Sequence, residues 1–420
     1  MIRGVFVTAA FALLLCAVVV PNSMPVATAA LLVACGALSL VLANPLRSIP
    51  SLAGFYAVSA IVSLIYLIVG QIQNAPVEAA SQVAVIYLIS PLLWLSIAAA
   101  LLQSVDERRF VRWLHGLSLL SLASIAIYFI LFATGGPDAV RFFIASANVN
   151  LQDGYAGATM FVYGSLIFLC AGYFAAPEVV ESIALRILLL LLLPIAALTS
   201  GRGALIMSIP IGLMLGAALS RRRRAADGGI AGALTANPMF LSALGLVAAA
   251  VVAVQFDLNL GLIAGRFVEE VDALGGRERA VQAQALLEGV LETFGAGAGH
   301  GIGVGYVRSE TFPWRYEMVG LATLYRVGFA GALAYLAPFI AYGIAFYKRS
   351  RSAGLDSFDV FMFAGLAASL FAANTNPYIE AFSFQWMFVF PLVALEIKTR
   401  ADRSGVPRFQ KTMQMEGFPH

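Results

Sequence analysis

Long apolar runs dominate the chain, separated by short polar stretches, and their lengths predict helices that cross a membrane, which takes about 20 apolar residues. The runs fall at 4–20, 25–43, 51–70, 82–103, 113–133, 155–176, 187–199, 204–220, 239–256, 318–346, 358–373 and 380–397. About twelve spans follow, the seventh of them short. The opening run after Arg3 has the look of a leader peptide, with "ATA" at 27–29 as a cleavage-like triplet. Its apolar character continues to Ala43, however, which suits two successive spans.

The polar stretches alternate in character. One set carries Arg47, "DERRFVR" (106–112), Arg186, "RRRR" (221–224), "YKRSR" (347–351) and "KTRADR" (398–403). The complementary set, "PNSM", "QIQNAPVEAAS", 134–154, "TSGRG", 257–317 and "NTNPY", is nearly neutral. Cytoplasmic loops gather Lys and Arg, so both termini are expected in the cytoplasm. The expected organisation is nine spans over 1–256, an external loop at 257–317 with amphipathic helices, three spans over 318–400, and a cytoplasmic tail at 401–420.

Composition agrees with this pattern. The chain of 420 residues is 60% hydrophobic and 12% charged, with a mean hydropathy of +0.87. That excludes an ordinary soluble domain. Cys16, Cys35 and Cys170 all lie in apolar runs and offer neither a disulfide framework nor a zinc spacing. The three histidines are scattered, so no metal site and no cofactor is expected. Lysine occurs only at Lys348, Lys398 and Lys411.

Against that background a few polar residues stand out. Arg202 sits in "TSGRG" between two apolar runs, on the outer side by the charge pattern. An interfacial arginine reaching for headgroups would account for it. Small residues around it, Ser200 and Gly203 among them, also let backbone N–H groups face outward beside a guanidinium, the makeup of an anion site. The external loop carries only arginines as basic residues: Arg266, Arg277, Arg279, Arg308 and Arg315. Guanidinium grips phosphate in a planar fork.

Within the loop, "AVQAQALLEGVLETF" (280–294) places Ala283, Leu286, Leu287, Val290, Leu291 and Phe294 on one helical face. That predicts a helix lying on the bilayer or capping the bundle. "GAGAGHGIGVGY" (295–306) follows, with glycine at every second position from Gly295 to Gly305. It lacks the Gly-Lys-Ser/Thr of a nucleotide-binding loop and reads as a tight turn bringing backbone close to a ligand. His300 within it is a possible base or an incidental residue. Glu317 stands at the mouth of the next helix, and Arg326 lies about 13 Å deeper at 1.5 Å per residue. A charge at that depth needs an interior partner or an aqueous cavity.

In this order the pieces resemble the superfamily of O-antigen ligases and O-antigen polymerases. The resemblance rests on the twelve-span layout, "TSGRG" before the eighth span, "GGRERAV" (275–281), the glycine loop and the "GFAG" helix. It covers about 195–336, while the N-terminal half is alike only in its hydrophobic spans. It implies an all-α polytopic membrane glycosyltransferase of GT-C-like build, with a large periplasmic loop between spans nine and ten. Arg202 and Arg277 would hold the pyrophosphate of an undecaprenyl-linked donor, with Arg266 and Arg326 added to the anion set. Ligases commonly carry His-Asn eleven residues before the glycine that here is Gly328. Counting back reaches Glu317, and a carboxylate there fits a polymerase. The usual tryptophan after the loop arginine is absent, since Ala280 and Val281 are small and apolar.

The expected function is therefore polymerisation of undecaprenyl-pyrophosphate-linked oligosaccharide repeats at the periplasmic face of a bacterial inner membrane, for exopolysaccharide, capsule or O-antigen. Glu317 is the first candidate base and His300 the second. A chain-length regulator is an expected partner and nucleic acid is not. A ligase onto lipid A-core or protein, a flippase or transporter, and a membrane scaffold are the open alternatives.

Overall fold

The computed structural model describes residues 2–21, 23–42, 45–140, 150–152, 155–157, 160–200, 203–219, 275–352 and 354–404. Helices follow the apolar runs. They are α1 (Ile2–Val19), α2 (Pro25–Leu42), α3 (Pro45–Ser48), α4 (Pro50–Ile72), α5 (Val77–Val83), α6 (Ser90–Ser104), α7 (Glu107–Val140) and α8 (Met160–Ala175). Then come α9 (Ile183–Ser200), α10 (Gly203–Leu219), α11 (Gly275–Glu292), α12 (Val319–Ser352), α13 (Ser357–Ala373) and α14 (Trp386–Ser404). A short antiparallel ribbon, β1 (Asn150–Gln152) with β2 (Tyr155–Gly157), is the one sheet among the described residues.

Among the described residues, six segments are long and apolar enough to cross a bilayer: α1, α2, α4, Val77–Ser104, the Glu107–Tyr128 part of α7, and α12. Tyr163–Ala175, Ile183–Ala197, Gly203–Leu219 and Ser357–Ala373 are shorter apolar helices. The run at 239–256 lies outside the described residues. Outward faces of α4 and α12 expose Ile61, Ile68, Phe329, Leu333 and Leu336. A continuous apolar exterior of this kind is stable against hydrocarbon and not against water.

At the centre lies α8, buried on every side from Tyr163 to Ala175, which is why its run shows no amphipathic period. Its closest neighbour is α10, which contributes Gly212 and Gly216. A Cβ at Gly212 would lie 2.5 Å from the Ala171 carbonyl oxygen, and one at Gly216 2.7 Å from that of Ala175. Small residues four apart on each helix let the two backbones touch, the usual basis of tight association where lipid removes the hydrophobic drive.

The basic end of the bundle is tied by an ion network. Asp356 and Asp359 form a reciprocal capping box at the start of α13. Lys398 of α14 reaches Asp356, Asp359 and Glu107, each at 2.9 Å. Arg349 of α12 bonds Asp359 at 3.1 Å and also Asp402. Glu396 accepts from the backbone N–H groups of Ser51 and Leu52, capping α4 from a helix remote in sequence.

The predicted loop helix exists, but its apolar face is divided. Leu286 and Val290 of α11 are buried beside Tyr325, whereas Leu287, Leu291 and Phe294 are exposed. Burial also takes in Gln282, whose Oε1 accepts from the backbone N–H groups of Glu317 and Met318. The helix thus caps the bundle with one stripe and presents another outward. Periodicity could not divide the two.

Candidate functional site

The site begins with a break in α12. Gly328 adopts φ 64°, ψ −176°, which removes the helical donors that the carbonyls just before it would otherwise receive. The glycine loop supplies them. Ala298 N–H donates to the Tyr325 carbonyl at 2.8 Å and Gly299 N–H to that of Arg326 at 2.9 Å, while Phe329 N–H donates to the Gly295 carbonyl at 3.0 Å. Backbone that leaves the helix among apolar spans is tolerated only when it is satisfied in this way.

The two-residue glycine period now has a cause. Gly295, Gly297, Gly299 and Gly301 all have φ between 69° and 95°, a region that L side chains rarely adopt. Gly299 also lies against α4, where an added Cβ would meet the Gly70 nitrogen at 2.4 Å. The following residue, His300, donates its N–H to the Tyr66 carbonyl at 2.9 Å. A Cβ on Gly70 would fall 2.0 Å from the His300 carbonyl oxygen. Gly70→Ala should therefore push the loop off α4, costing about 1–3 kcal/mol by overpacking. A lower melting temperature in detergent will show it, and an unchanged one would mean that the contact yields freely.

Beneath the loop is a buried polar cluster. Arg326 and Glu380 are 4% and 5% exposed and pair at 2.5 Å. Tyr87 donates to the same Glu380 oxygen at 2.6 Å. A second guanidinium N–H of Arg326 donates to the Trp314 carbonyl at 2.7 Å, and the guanidinium lies 5.8 Å from the centre of the Tyr316 ring. His300 Nε2 is 3.2 Å from the Tyr335 hydroxyl, which also meets Ser63 Oγ at 2.6 Å. The Tyr87 ring contacts His300 and stacks on Tyr335. Burial, and then the charge of Arg326, lower the His300 pKa to about 3, so its imidazole is neutral at ordinary pH.

Tyr87 owes its position to a π-helical turn, Ala84–Ile89, between α5 and α6. Pro91 cannot donate to the Ile86 carbonyl five residues back, as π geometry requires. The Gln385 side chain does so instead, at 2.9 Å, and the Tyr56 hydroxyl covers the Leu88 carbonyl at 2.8 Å.

Two neighbouring cavities share Ile86 and Tyr87 in their walls. The larger, about 290 Å³, is an apolar cleft lined by Leu52, Phe55, Leu95, Phe339, Phe388 and Leu392 among others, with Tyr335 also in its wall. The smaller is a polar pit of about 20 Å³ lined by Gln82, Tyr87, His300, Trp314, Arg315, Arg326 and Glu380. Arg315 is half-buried with its guanidinium over the Phe312 ring, 5.0 Å from its centre. Burial lowers its pKa, while Glu380 works the other way.

The structure brings together only part of the expected set. His300 and Arg326 share the pit, and the partner that Arg326 requires is Glu380. Glu317 lies elsewhere: it accepts from Arg279 at 3.1 Å and Arg308 at 2.7 Å and lines neither of these two cavities. Ser200 closes α9 and Gly203 opens α10, with Arg202 between them outside the described residues, as is Arg266. Arg277 falls in the first turn of α11. Sequence reasoning missed Glu380, Tyr87, Tyr335 and Gln82. A signal existed for Glu380, an acidic residue at the edge of the apolar run 380–397 that could answer the buried Arg326. Among the described residues, no three His, Cys, Asp or Glu side chains group as a metal site.

Compared by sequence, the chain matches no protein-family model and no curated protein.

Proposed function

We propose that this chain is a twelve-span glycosyltransferase of the bacterial inner membrane that polymerises undecaprenyl-pyrophosphate-linked repeats on the periplasmic side. The observation that carries the reading is the wall shared by the apolar cleft and the polar pit. A lipid-linked donor needs a hydrocarbon channel ending beside cationic groups and a neutral base, and Tyr87 stands in the wall of both cavities. The loop-bearing end is the periplasmic one on this reading, and the lysine network the cytoplasmic one.

In the reaction a sugar hydroxyl of one lipid-linked repeat attacks the anomeric carbon of the donor glycan. The new C–O bond forms as the bond to pyrophosphate oxygen breaks, the electron pair leaves with the pyrophosphate, and the anomeric centre inverts. Arginines stabilise the leaving charge, with Arg202 and Arg277 contributing by resemblance. The hydroxyl proton passes to His300, which is neutral and faces the pit. Glu317 is the second candidate, because Arg279 and Arg308 already hold its charge and it lines neither cavity.

The test is reconstitution of the purified protein in liposomes with lipid-linked repeats, with a ladder of polymer as the expected result. A single transfer to another acceptor without a ladder would replace the polymerase reading with a ligase. Orientation is checked separately. Asn376→Cys should react with a membrane-impermeant thiol reagent from the periplasm and Ala225→Cys should not, since the native cysteines are buried. The reverse labelling overturns the periplasmic assignment.

A further inference from the structure

We infer that Ser63 and Tyr335 are positioning residues for His300: their hydroxyls hold the imidazole as its Nε2–H tautomer and leave Nδ1 as the nitrogen that takes a proton. The use made of that proton acceptor rests on the function proposed above. The direction of the hydrogen bonds rests on geometry.

That direction is set at the end remote from the histidine. Ser63 Oγ lies 2.8 Å from the Ser59 carbonyl oxygen, one turn back in α4. A carbonyl oxygen only accepts, so the proton in this contact is the one Ser63 has to give. Ser63 Oγ must then accept from the Tyr335 hydroxyl, 2.6 Å away on α12. With its single proton spent there, Tyr335 can only accept from His300 Nε2 at 3.2 Å. Nε2 carries hydrogen, and in a neutral imidazole the other nitrogen is then bare. His300 is neutral at ordinary pH, as shown above.

The surroundings keep the series in this order. Ser63 and His300 are 0% and 3% exposed, so bulk water replaces neither end. The Tyr87 ring lies against His300, 5.0 Å between centres, but its hydroxyl gives its proton to Glu380 and does not compete for the imidazole. The His300 backbone is pinned as well, by the bond from its N–H to the Tyr66 carbonyl. Nδ1 makes no hydrogen bond among the described residues and is not sealed from solvent. It belongs to a residue that lines the polar pit.

In the proposed transfer, Nδ1 takes the hydroxyl proton as the oxygen forms its bond to the anomeric carbon and the bond to pyrophosphate breaks. The imidazolium keeps its Nε2–H on Tyr335 and afterwards releases the Nδ1 proton to water. The reversed series, with Tyr335 donating to Nε2, would put hydrogen on Nδ1 and leave no base there.

The experiment labels the full-length protein with ¹⁵N-histidine, reconstitutes it in liposomes, and reads by solid-state NMR which ring nitrogen carries hydrogen. A His300→Gln sample identifies the His300 signals. The unaltered protein should show hydrogen on Nε2. Ser63→Ala frees the Tyr335 proton for Nε2, so the Nδ1–H form should rise several-fold, and Ser63→Thr, which keeps a hydroxyl, should restore the original ratio. Tyr335→Phe removes the acceptor and should also raise the Nδ1–H form. It should lower kcat several-fold and leave KM unchanged, the mark of an interaction that matters only in the transition state. Melting curves show which variants are folded, and Tyr335→Phe decides alone if Ser63→Ala is not.

Hydrogen on Nδ1 in the unaltered protein overturns the proposal, as does a folded Ser63→Ala or Tyr335→Phe variant with an unchanged tautomer ratio. The polymerase reading fails separately. A tautomer that responds as expected, with no polymer from lipid-linked repeats, leaves the series standing and removes the activity. Polymer formed by a protein whose His300 carries hydrogen on Nδ1 does the opposite.

Discussion

Glu380→Ala is expected to be the most damaging single change in the polar cluster, lowering stability by about 3–5 kcal/mol, because it strands a buried guanidinium without its counter-charge. Arg326 is 4% exposed and also bonds the Trp314 carbonyl, so it cannot swing to water without opening the loop. Loss of the carboxylate removes an acceptor from Tyr87 as well. The measurement is thermal unfolding in detergent, followed by recovery of monodisperse protein. Glu380→Gln keeps part of the hydrogen bonding and should fall between the two. The double variant Arg326→Met, Glu380→Leu tests the cause. Removing both charges together should restore much of the stability, while polymer formation stays lost if the pair also shapes the pit. A Glu380→Ala protein that melts like the unaltered one would show that the pair contributes nothing to the fold.

The second large effect concerns the polymerase activity proposed above. His300→Ala should reduce polymer formation by about 10²–10⁴-fold, the usual contribution of a general base, with the protein still folded. Glu317→Gln should retain most turnover, because Arg279 and Arg308 can still donate to the amide oxygen. The opposite pattern would move the base to Glu317 and make His300 part of the loop's scaffold. A pH profile adds a readout that packing alone would not move. Since burial and Arg326 lower the His300 pKa to about 3, the base form persists throughout the range where an ordinary histidine, near 6.5, becomes charged. Activity should therefore show no acid limb from His300 between about pH 5 and 8. Stability follows the same linkage. The unfolded chain takes up a proton near 6.5 and the folded one does not, so this contribution is complete above that pH and is lost as pH falls toward 3. A rate that collapses with an apparent pKa near 6.5 would mean that His300 is solvated in the working enzyme.

Much of the fold was legible from local pattern. Runs such as 51–70 and 358–373 became α4 and α13 within a few residues, because an apolar run of that length has few alternatives to a helix in hydrocarbon. The glycine repeat announced unusual backbone, and its positive φ angles confirm that. The site was legible only in part. Arg326 in an apolar run demanded a partner, but Glu317, nine residues away, was nearer in sequence than Glu380. The kink at Gly328 and the approach of 378–385 to the α5–α6 junction decide between them, and neither leaves a periodic trace. Tyr87 was hidden in a run that reads as continuous helix, since a π turn differs from its neighbours only by where Pro91 and Gln385 stand.

By itself, then, the amino-acid sequence determined where most of the described apolar helices lie, which of the polar stretches are basic, and that one guanidinium in an apolar run needs a partner. These are properties of short windows, set by the cost of exposing backbone and charge to hydrocarbon. Tertiary structure alone decided that Arg326 meets Glu380, 54 residues on, that Glu317 is spent on Arg279 and Arg308, and that a polar pit and an apolar cleft share Tyr87 as a wall. Those pairings depend on how three distant segments pack around a glycine kink. The free energy that selects them lies in contacts no single segment contains.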